Sequence, residues 1–348
     1  MSTSDATGVR RSWIEISDPV SLPGRPLVSV LMLAYNHGQY LAAAIEGVRM
    51  QDAVFQIELV IGEDCSPDNT REVALDYQRR YPRLIRVITS DANVGMQENL
   101  RRVFEASRGD FLAFCEGDDY WTAQDKLSRQ LAVFAARSEV AICFHAALVF
   151  DHASQRVVRE IRRNTRARDF SLSEVILGGG GMIPSASMVL RRMVLCPMDD
   201  WLLKCPVGDY PMAMWAASLG VCHGLPDTMS VYRAGLPSSW SSSVLDADNY
   251  WKHVVGVIAM LEELPRKTGR TDVEWAVARA VRRYLRDFHM WFGGPATRAV
   301  PRRPVLESRL SWLDRVFVAA CNIPTLLWVI KNFVARWRRL ANWFASRL

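Results

Sequence analysis

One pattern occurs four times between residues 27 and 114: a short apolar run, followed by a longer segment with helical spacing. The runs are LVSVLML (27–33), IELVIG (57–62), LIRVIT (84–89) and DFLAF (110–114). After the first run, apolar residues fall on one face of a helix, namely Leu41, Ile45 and Val48. Nearly continuous apolar strands that alternate with helices are typical of a parallel sheet covered on both faces. We therefore expect an α/β fold with a mixed, mainly parallel sheet.

The rest of the chain divides by composition. We expect strands at 141–150 and 156–161, a helix at 208–220 and helical structure over 246–292. Proline, glycine and arginine residues at 293–304 then separate this part from a basic tail. The expected organisation is a polar N-terminal tail (1–26), an α/β domain (27–245), a helical extension (246–300) and basic amphipathic C-terminal helices (301–348).

Composition excludes several classes of protein. The seven cysteines are scattered and form no CxxC pair, which favours buried thiols in a reducing compartment. Residues 1–26 lack the apolar core of a secretory signal peptide, and no apolar run reaches the roughly 20 residues of a membrane span. The net charge of +6 comes from the tail, where nine Lys/Arg and two acids lie in 301–348. The body is close to neutral, so we expect no binding to nucleic acid. The scattered cysteines and the lack of a signal peptide lead us to expect a cytoplasmic protein.

Three polar clusters follow the ends of predicted strands: AYNHGQY (34–40), EDCSPDNT (63–70) and EGDDYW (116–121). In open α/β sheets, ligands bind outside the carboxyl ends of the strands. Three separate loops would then converge on one crevice. This convergence is the strongest indication of a binding site in the sequence.

The first two clusters suit a nucleotide. Tyr35 and Asn36 offer an aromatic ring and an amide that could stack on and hydrogen-bond a base, although an ordinary turn would have the same composition. Asp64 could accept from the imide N–H of a pyrimidine or from a ribose hydroxyl. The alternative for Asp64 is helix capping, which Ser66 and Asp68 could already provide.

The third cluster suits a metal ion. Glu116, Asp118 and Asp119 supply the carboxylate oxygens that a hard divalent cation prefers, together with the diphosphate of a substrate. A solvated acidic turn is the alternative. Asp209 could be a general base or an ordinary acid in the first turn of a helix, and the residues alone do not favour the base.

Together these motifs resemble the family-2 glycosyltransferases, enzymes of the Rossmann-like GT-A fold. The resemblance covers roughly residues 27–243. It rests on VSVLMLAYN at the first strand, ELVIGEDCSPDNT at the second, NVGMQEN at the start of the third predicted helix and EGDDYW as a DxD-type metal motif. Two weaker matches are VGDYPMAMWAA, which resembles the region of the catalytic base, and VYRAGLPSSWS, which resembles a late YRxHxGGxWS motif.

The resemblance implies how the donor is held. Tyr35 and Asp64 would hold the base of a UDP- or dTDP-sugar, and Asn36 and Asn99 would belong to the same donor-binding set. Asp118 would contact the ribose or diphosphate and share with Asp119 the ligation of Mn²⁺ or Mg²⁺.

The resemblance also implies the chemistry. Asp209 would deprotonate an acceptor hydroxyl that displaces the nucleoside diphosphate with inversion at the anomeric carbon. Arg233 would be a phosphate partner, although a surface arginine is equally consistent with the sequence. Two positions depart from the family pattern. Gly208 replaces the Glu that commonly precedes the base, and Gly235 replaces the His of the late motif.

The tail predicts how the protein is held in the cell. From residue 326 to 344 apolar residues form one stripe, arginines lie on the far side, and three tryptophans are interspersed. This pattern is typical of a helix on an anionic membrane surface, although a helix packed on the body or on a second subunit would also fit.

We therefore expect an inverting, metal-dependent glycosyltransferase, held peripherally at the inner face of the cell membrane. It would act on a glycan or lipid-linked acceptor in cell-envelope polysaccharide synthesis. Two rivals remain. A sugar nucleotidyltransferase would usually carry a Gly-rich basic loop after the first strand, where this chain has AYNHG. A non-catalytic nucleotide- or glycan-binding module is the other.

Overall fold

The structure is a computed structural model that describes residues 13–237, 239, 242 and 246–292. The chain divides into two compact units, and the first unit ends at Ser239. The strands of the first unit are β1 (Ile14–Ile16), β2 (Val28–Ala34), β3 (Ile57–Glu63), β4 (Ile85–Thr89), β5 (Phe111–Phe114), β6 (Tyr120–Trp121), β7 (Val140–Asp151), β8 (Arg156–Ile161), β9 (Arg168–Phe170), β10 (Val189–Arg191) and β11 (Val221–Ala234). Its helices are α1 (Leu41–Arg49), α2 (Thr70–Arg80), α3 (Met96–Ala106), α4 (Lys126–Ala136), α5 (Leu172–Gly178), α6 (Asp200–Lys204) and α7 (Asp209–Leu219).

The described strands form one mixed sheet in the order β1-β4-β3-β2-β5-β10-β7-β11-β6, with β8 beside β7 and β9 beside β11. Four neighbouring strands of this sheet are mutually parallel: β4, β3, β2 and β5. The expected α/β fold with a mainly parallel sheet is therefore confirmed, and each of the four apolar runs is a strand of this parallel set. Their carboxyl ends share one edge, where Ala34 lies beside Glu63.

Antiparallel strands complete the sheet. β10 lies between β5 and β7 and runs antiparallel to both. β7 pairs in parallel with the long strand β11 on one side and antiparallel with β8 on the other. The sequence predicts β7 and β8 but gives no indication of β10, because a strand of three residues is too short to show a period.

The core lies between the sheet and its helices. The predicted apolar face of α1 is buried, with Leu41, Ile45 and Val48 at most 2% exposed. They pack against fully buried strand residues such as Val30 and Ile61. Burying an aliphatic side chain of this size contributes about 1.5–3 kcal/mol. The periodicity therefore identified both the helix and the face that stabilises it.

The second unit contains α8 (Ala247–Thr268) and α9 (Glu274–Phe292). The predicted helical region 246–292 is therefore two helices. The first ends at Thr268, and the next residue, Gly269, has a left-handed φ of 68° that suits glycine just after a helix. No helix among the described residues is long and apolar enough to cross a membrane. The predicted amphipathic tail, residues 301–348, lies outside the described residues.

Candidate active site

The loop that follows β2 is held by the loop that follows β3. Backbone amides of residues 36–38 donate over 3.2, 2.8 and 3.0 Å to side-chain oxygens of Ser66, Thr70 and Asp68, respectively. Tyr35 is 39% exposed at the start of this loop, and Asn36 has a left-handed φ of 59°. Two of the three predicted clusters are thus joined, and the ring of Tyr35 is open to a ligand.

Asp64 lies at the end of β3 and is buried. Its Oδ1 accepts from the amide of Val94 (2.9 Å) and from Arg102 (3.1 Å), and its Oδ2 accepts from the amide of Gly95 (2.9 Å). Asp64 therefore fixes the loop before α3. A carboxylate can accept about four hydrogen bonds, so one acceptor position remains for a base or ribose. The donor contact of Asp64 stays a prediction.

Asn99 ties α3 to the sheet. Its Nδ2 donates to the carbonyl of Gly62 over 2.8 Å, and its Oδ1 accepts from Arg102 over 2.9 Å. A Cβ at Gly62 would lie 2.5 Å from Oδ1 of Asn99 and 2.4 Å from Val103, so this close approach requires glycine. The structure gives Asn99 a positioning role, and its donor contact stays a prediction.

The acidic cluster EGDD leaves the end of β5 as a tight turn. The amide of Asp119 donates to the carbonyl of Glu116 over 3.0 Å. A Cβ at Gly117 would lie 2.9 Å from Nδ1 of His37, so glycine lets the turn approach the loop after β2. Nε2 of His37 is 3.6 Å from Oδ2 of Asp118. The third predicted cluster therefore meets the first.

Arg233, near the end of β11, holds the same turn. Its amide donates to Oδ1 of Asp119 over 3.0 Å and its Nη1 donates to the carbonyl of Asp118 over 2.6 Å. Its guanidinium lies 4.4 Å from the ring centroid of Tyr120 and 5.3 Å from that of Tyr40. These contacts place the positive charge of Arg233 beside the acids, in a position suited to bind a phosphate group.

Three acids of the site have a raised pKa, and burial is the largest cause for each. Burial, and next the charge of Asp118, raise the pKa of Glu116 to about 7. Burial and the same neighbour raise the pKa of Asp119 well above its usual value. Burial also raises the pKa of Asp209, the first residue of α7, to about 6. The charge of Asp209 contributes to the raised pKa of Glu116, so α7 brings the predicted base near the acidic turn.

Two residues at the site were not in the predicted set. Ser185 donates to Oε2 of Glu116 over 2.9 Å. It follows the glycine segment 178–181, and nothing in the sequence pairs it with Glu116. His37 lies inside a motif that the sequence does single out. Its Nδ1 is buried and makes no hydrogen bond within the described residues.

The acidic turn supplies only some of the oxygen ligands that a divalent cation needs. Oδ1 of Asp119 already accepts from Arg233, which leaves Oδ2 for an ion. No set of three His, Cys, Asp or Glu side chains in the described residues is arranged to hold a metal ion by itself. The carboxylates of Asp118 and Asp119 would be enough for a cation such as Mg²⁺, because it usually binds one or two carboxylates and takes its other ligands from water and substrate phosphates.

Residues 29–196 match the sequence model of the family described as glycosyl transferase family 2. An uncharacterized protein of Mycobacterium tuberculosis is 32% identical over 240 residues, which is 68% of this chain and 67% of that protein. TuaG of Bacillus subtilis, named as a glycosyltransferase of teichuronic acid biosynthesis, is 33% identical over 114 residues, 33% of this chain and 44% of that protein.

Two groups of solved structures share the fold. TarS of S. aureus, residues 1–349 in complex with UDP-GlcNAc, has a TM-score of 0.56 and 17% identity, with 88% of this chain and 91% of that chain covered. The chain spans 54% of the longer solved TarS chain. The mannosyltransferase PcManGT of Pyrobaculum calidifontis, in complex with GDP-Man and Mn²⁺, has a TM-score of 0.54 and 14% identity, with 92% and 90% covered.

Proposed function

The chain belongs to glycosyl transferase family 2 and is a glycosyltransferase, and from that premise we propose its reaction. It transfers one sugar from a nucleotide-diphosphate donor to a hydroxyl of a glycan or lipid-linked acceptor, with inversion at the anomeric carbon. One observation carries the proposal: the loops after β2 and β3, the acidic turn and Arg233 meet at the carboxyl ends of the strands. Candidate base-binding and diphosphate-binding groups therefore share one site.

The donor would bind at the carboxyl ends of β2, β3 and β5. Tyr35 offers an exposed ring to the base, and the free acceptor position of Asp64 faces the imide or ribose. The diphosphate would lie at Arg233. Fold-level likeness to TarS makes UDP-sugars the first donors to test, dTDP-sugars the second and GDP-sugars the third.

We propose Asp119 and Asp118 as the ligands of a divalent cation, Mn²⁺ or Mg²⁺. When bound, such a cation neutralises charge on the departing diphosphate. The protein's own contribution begins with Arg233, whose guanidinium adds positive charge at the same place. Its amide holds Asp119 in position.

Asp209 is the proposed general base. With a pKa of about 6 it is mostly ionised at neutral pH, yet basic enough to accept a proton from the acceptor hydroxyl. The hydroxyl then attacks the anomeric carbon from the side opposite the diphosphate. A single displacement of this kind inverts the configuration. General-base assistance contributes about 10²–10⁴ in rate.

We place the acceptor in cell-envelope polysaccharide synthesis. The relative TuaG, named for teichuronic acid biosynthesis, supports that class. Peripheral membrane binding by residues 301–348 is a separate proposal, which rests on the tail's sequence pattern alone. Deletion of residues 305–348 should move the protein from the membrane fraction to the supernatant. An unchanged distribution would refute the anchoring proposal.

The decisive experiment is a thermal-shift panel of UDP, dTDP, GDP and their sugar conjugates, with and without Mn²⁺, followed by an assay of nucleoside diphosphate release. A ligand that binds only the folded state raises Tm, so the panel ranks donors. We expect Mn²⁺-dependent stabilisation and slow release without acceptor. Stabilisation without any release would instead indicate a binding module. Release of pyrophosphate from a nucleoside triphosphate would indicate a nucleotidyltransferase.

A further inference from the structure

Strand β8 and the segment after it carry an unusual density of positive charge. We call residues 156–166 the basic ribbon. It contains one acid, Glu160, and five arginines: Arg156, Arg159, Arg162, Arg163 and Arg166. All five arginines are exposed. The proposed reaction uses none of them.

Three of these guanidinium groups are uncommitted. Arg162 is paired with Glu160, and Arg163 donates to backbone carbonyls. Arg156, Arg159 and Arg166 have no hydrogen-bond, ion-pair or ring partner for their side chains in the described part of the chain. Arginine without a local carboxylate is suited to bind phosphate or carboxylate groups of another molecule, often through two parallel hydrogen bonds.

The ribbon begins two strands away from Arg233. Arg233, which holds that turn, is paired across the sheet with Phe150 of β7, and Phe150 is paired with Val157 of β8. Neighbouring strands lie about 4.8 Å apart, so the backbone of Val157 is roughly 10 Å from that of Arg233. Arg156 is therefore within reach of a molecule that extends a few sugar units from the site.

The other end of the ribbon is also joined to the site. Arg163 donates to the carbonyls of Gly181 and Met182, in the segment that leads to Ser185. Ser185 donates to Glu116. The far end of the ribbon is therefore tied to the segment whose Ser185 contacts Glu116.

The apolar content of the ribbon argues against insertion into a lipid bilayer. Its exposed apolar side chains are Val157 and Val158, at 53% and 55% exposure. Membrane-bound elements usually insert larger residues such as Trp, Phe or Leu. The ribbon has none of these. Its charge and small side chains suit a hydrophilic anionic chain.

We propose that the basic ribbon binds an anionic acceptor polymer, whose repeating units carry phosphodiester or carboxylate groups, and guides its terminal hydroxyl toward Asp209. This inference rests on the proposed glycosyl transfer and specifies the class of acceptor. Arg156 and Arg159 supply the contacts nearest the site, and Arg166 supplies a further contact along the basic ribbon.

The test compares two full-length variants of equal charge. Arg156→Gln/Arg159→Gln removes two ribbon charges. Arg79→Gln/Arg83→Gln removes two exposed charges, one in the last turn of α2 and one just after it. Helix α2 packs on β3 and β4, away from β8. Binding of labelled polygalacturonate and of inorganic polyphosphate is measured by fluorescence anisotropy at several salt concentrations, with neutral dextran as a blank.

We expect the ribbon variant to bind at least one of the two polymers about tenfold more weakly than wild type at low salt, a difference that shrinks as salt rises. The α2 variant should stay within about twofold of wild type. A preference for one polymer identifies phosphate or carboxylate as the recognised group. Equal binding by the two variants, or no binding by wild type, overturns the proposal.

Two further measurements separate the alternatives. Thermal shift with UDP-GlcNAc and Mn²⁺ reports the donor site. If all variants respond to the donor but bind the polymers equally, the ribbon proposal fails and the proposed function stands. If no variant responds to any donor, the proposed function fails. A loss of binding by the ribbon variant that is confined to vesicles of phosphatidylglycerol and phosphatidylcholine would assign the ribbon to a membrane and overturn the acceptor proposal.

Discussion

The backbone amide of Arg233 donates a hydrogen bond to Oδ1 of Asp119 over 3.0 Å. Its guanidinium also donates to the carbonyl of Asp118 over 2.6 Å. One residue of β11 therefore holds two adjacent residues of the acidic turn through its backbone and its side chain. Because the amide belongs to the backbone, it stays in place when the side chain is changed. Substitution at Arg233 thus tests its charge, and substitution at Asp119 tests the carboxylate.

We expect Asp119→Asn to abolish Mn²⁺-dependent stabilisation by UDP and to lower nucleoside diphosphate release at least about 100-fold. The variant should fold, because burial already raises the pKa of Asp119 and the neutral amide relieves that cost. Thermal shift and a release assay measure the two effects. Asp125→Asn, at an exposed acid before α4, is the control and should behave as wild type. An intact Mn²⁺ response in Asp119→Asn would exclude Asp119 as a ligand.

Arg233→Gln should raise the donor KM by about tenfold, since a charge-assisted contact to phosphate is worth roughly 1.5 kcal/mol. A matched change is Arg129→Gln on α4, which removes an exposed ion pair with Asp125. Steady-state kinetics with varied donor separates the KM and kcat effects. If Arg233→Gln leaves both parameters unchanged, Arg233 is a structural tether of the turn and not a phosphate partner.

Arg102 and Arg101 are adjacent on α3 but differ in burial. Arg102 is fully buried and pairs with Asp64, whereas Arg101 is 40% exposed. We expect Arg102→Met to lower the free energy of unfolding by about 3 kcal/mol, because it leaves a buried carboxylate unpaired. Arg101→Met should change it by less than about 1 kcal/mol. Urea unfolding of both variants measures the difference, and equal losses would contradict a structural role for the Arg102–Asp64 pair.

The sequence predicts the parts of the site that lie on periodic elements. Asp64 and Asp119 follow apolar runs whose parallel arrangement places their ends at one edge, so their position at that edge could be foreseen. Ser185 could not be placed, because its contact with Glu116 depends on the short strand β10 and a glycine segment without a period. The partner of Asp64 was also missed, since Arg102 lies on a helix and its inward orientation depends on tertiary packing.

The helical region 246–292 shows a related limit. Its apolar spacing predicts helix throughout, and the structure interrupts it between Thr268 and Glu274. Gly269 marks the break because it adopts a left-handed φ of 68°. The glycine is visible in the sequence, but a glycine within a helical pattern is also tolerated, so the pattern alone does not locate the end.

Lys126 predicts a pH dependence of stability. Burial lowers its pKa from 10.5 in the unfolded chain to about 7. Between these values the unfolded state binds the extra proton, so the free energy of unfolding contributed by this residue rises with pH above 7. We expect the difference between wild type and Lys126→Met to grow in favour of wild type from pH 7 to pH 8.5.

The difference in the free energy of unfolding between wild type and Lys126→Met removes the contribution of other groups that titrate in the same range. Urea unfolding of both proteins at several pH values measures this difference. Lys204→Met, at an exposed lysine, should show no such slope. A pH-independent difference for Lys126→Met would mean that Lys126 is charged in the folded protein and is compensated by Gln130 and the ring of Trp121.

Asp209 predicts the pH dependence of the reaction. A general base must be deprotonated to act, and burial raises the pKa of Asp209 to about 6. We therefore expect kcat/KM for transfer to fall as the pH is lowered through about 6. Asp209→Asn should lower kcat by about 10²–10⁴ and remove this limb of the profile. Donor binding, measured by thermal shift, should be unchanged, because the donor is bound by groups on other loops.

Asp200→Asn provides the matched control, since Asp200 also lies in the first turn of a helix but is exposed. It should retain both the rate and the profile. Near-normal kcat in Asp209→Asn would assign the base to another group. In that event Glu116 is the next candidate, since Ser185 orients its carboxylate and burial raises its pKa to about 7 in the wild type. The wild-type profile would then have its midpoint at about 7, and the midpoint of Asp209→Asn would lie lower, because the charge of Asp209 contributes to that raised pKa.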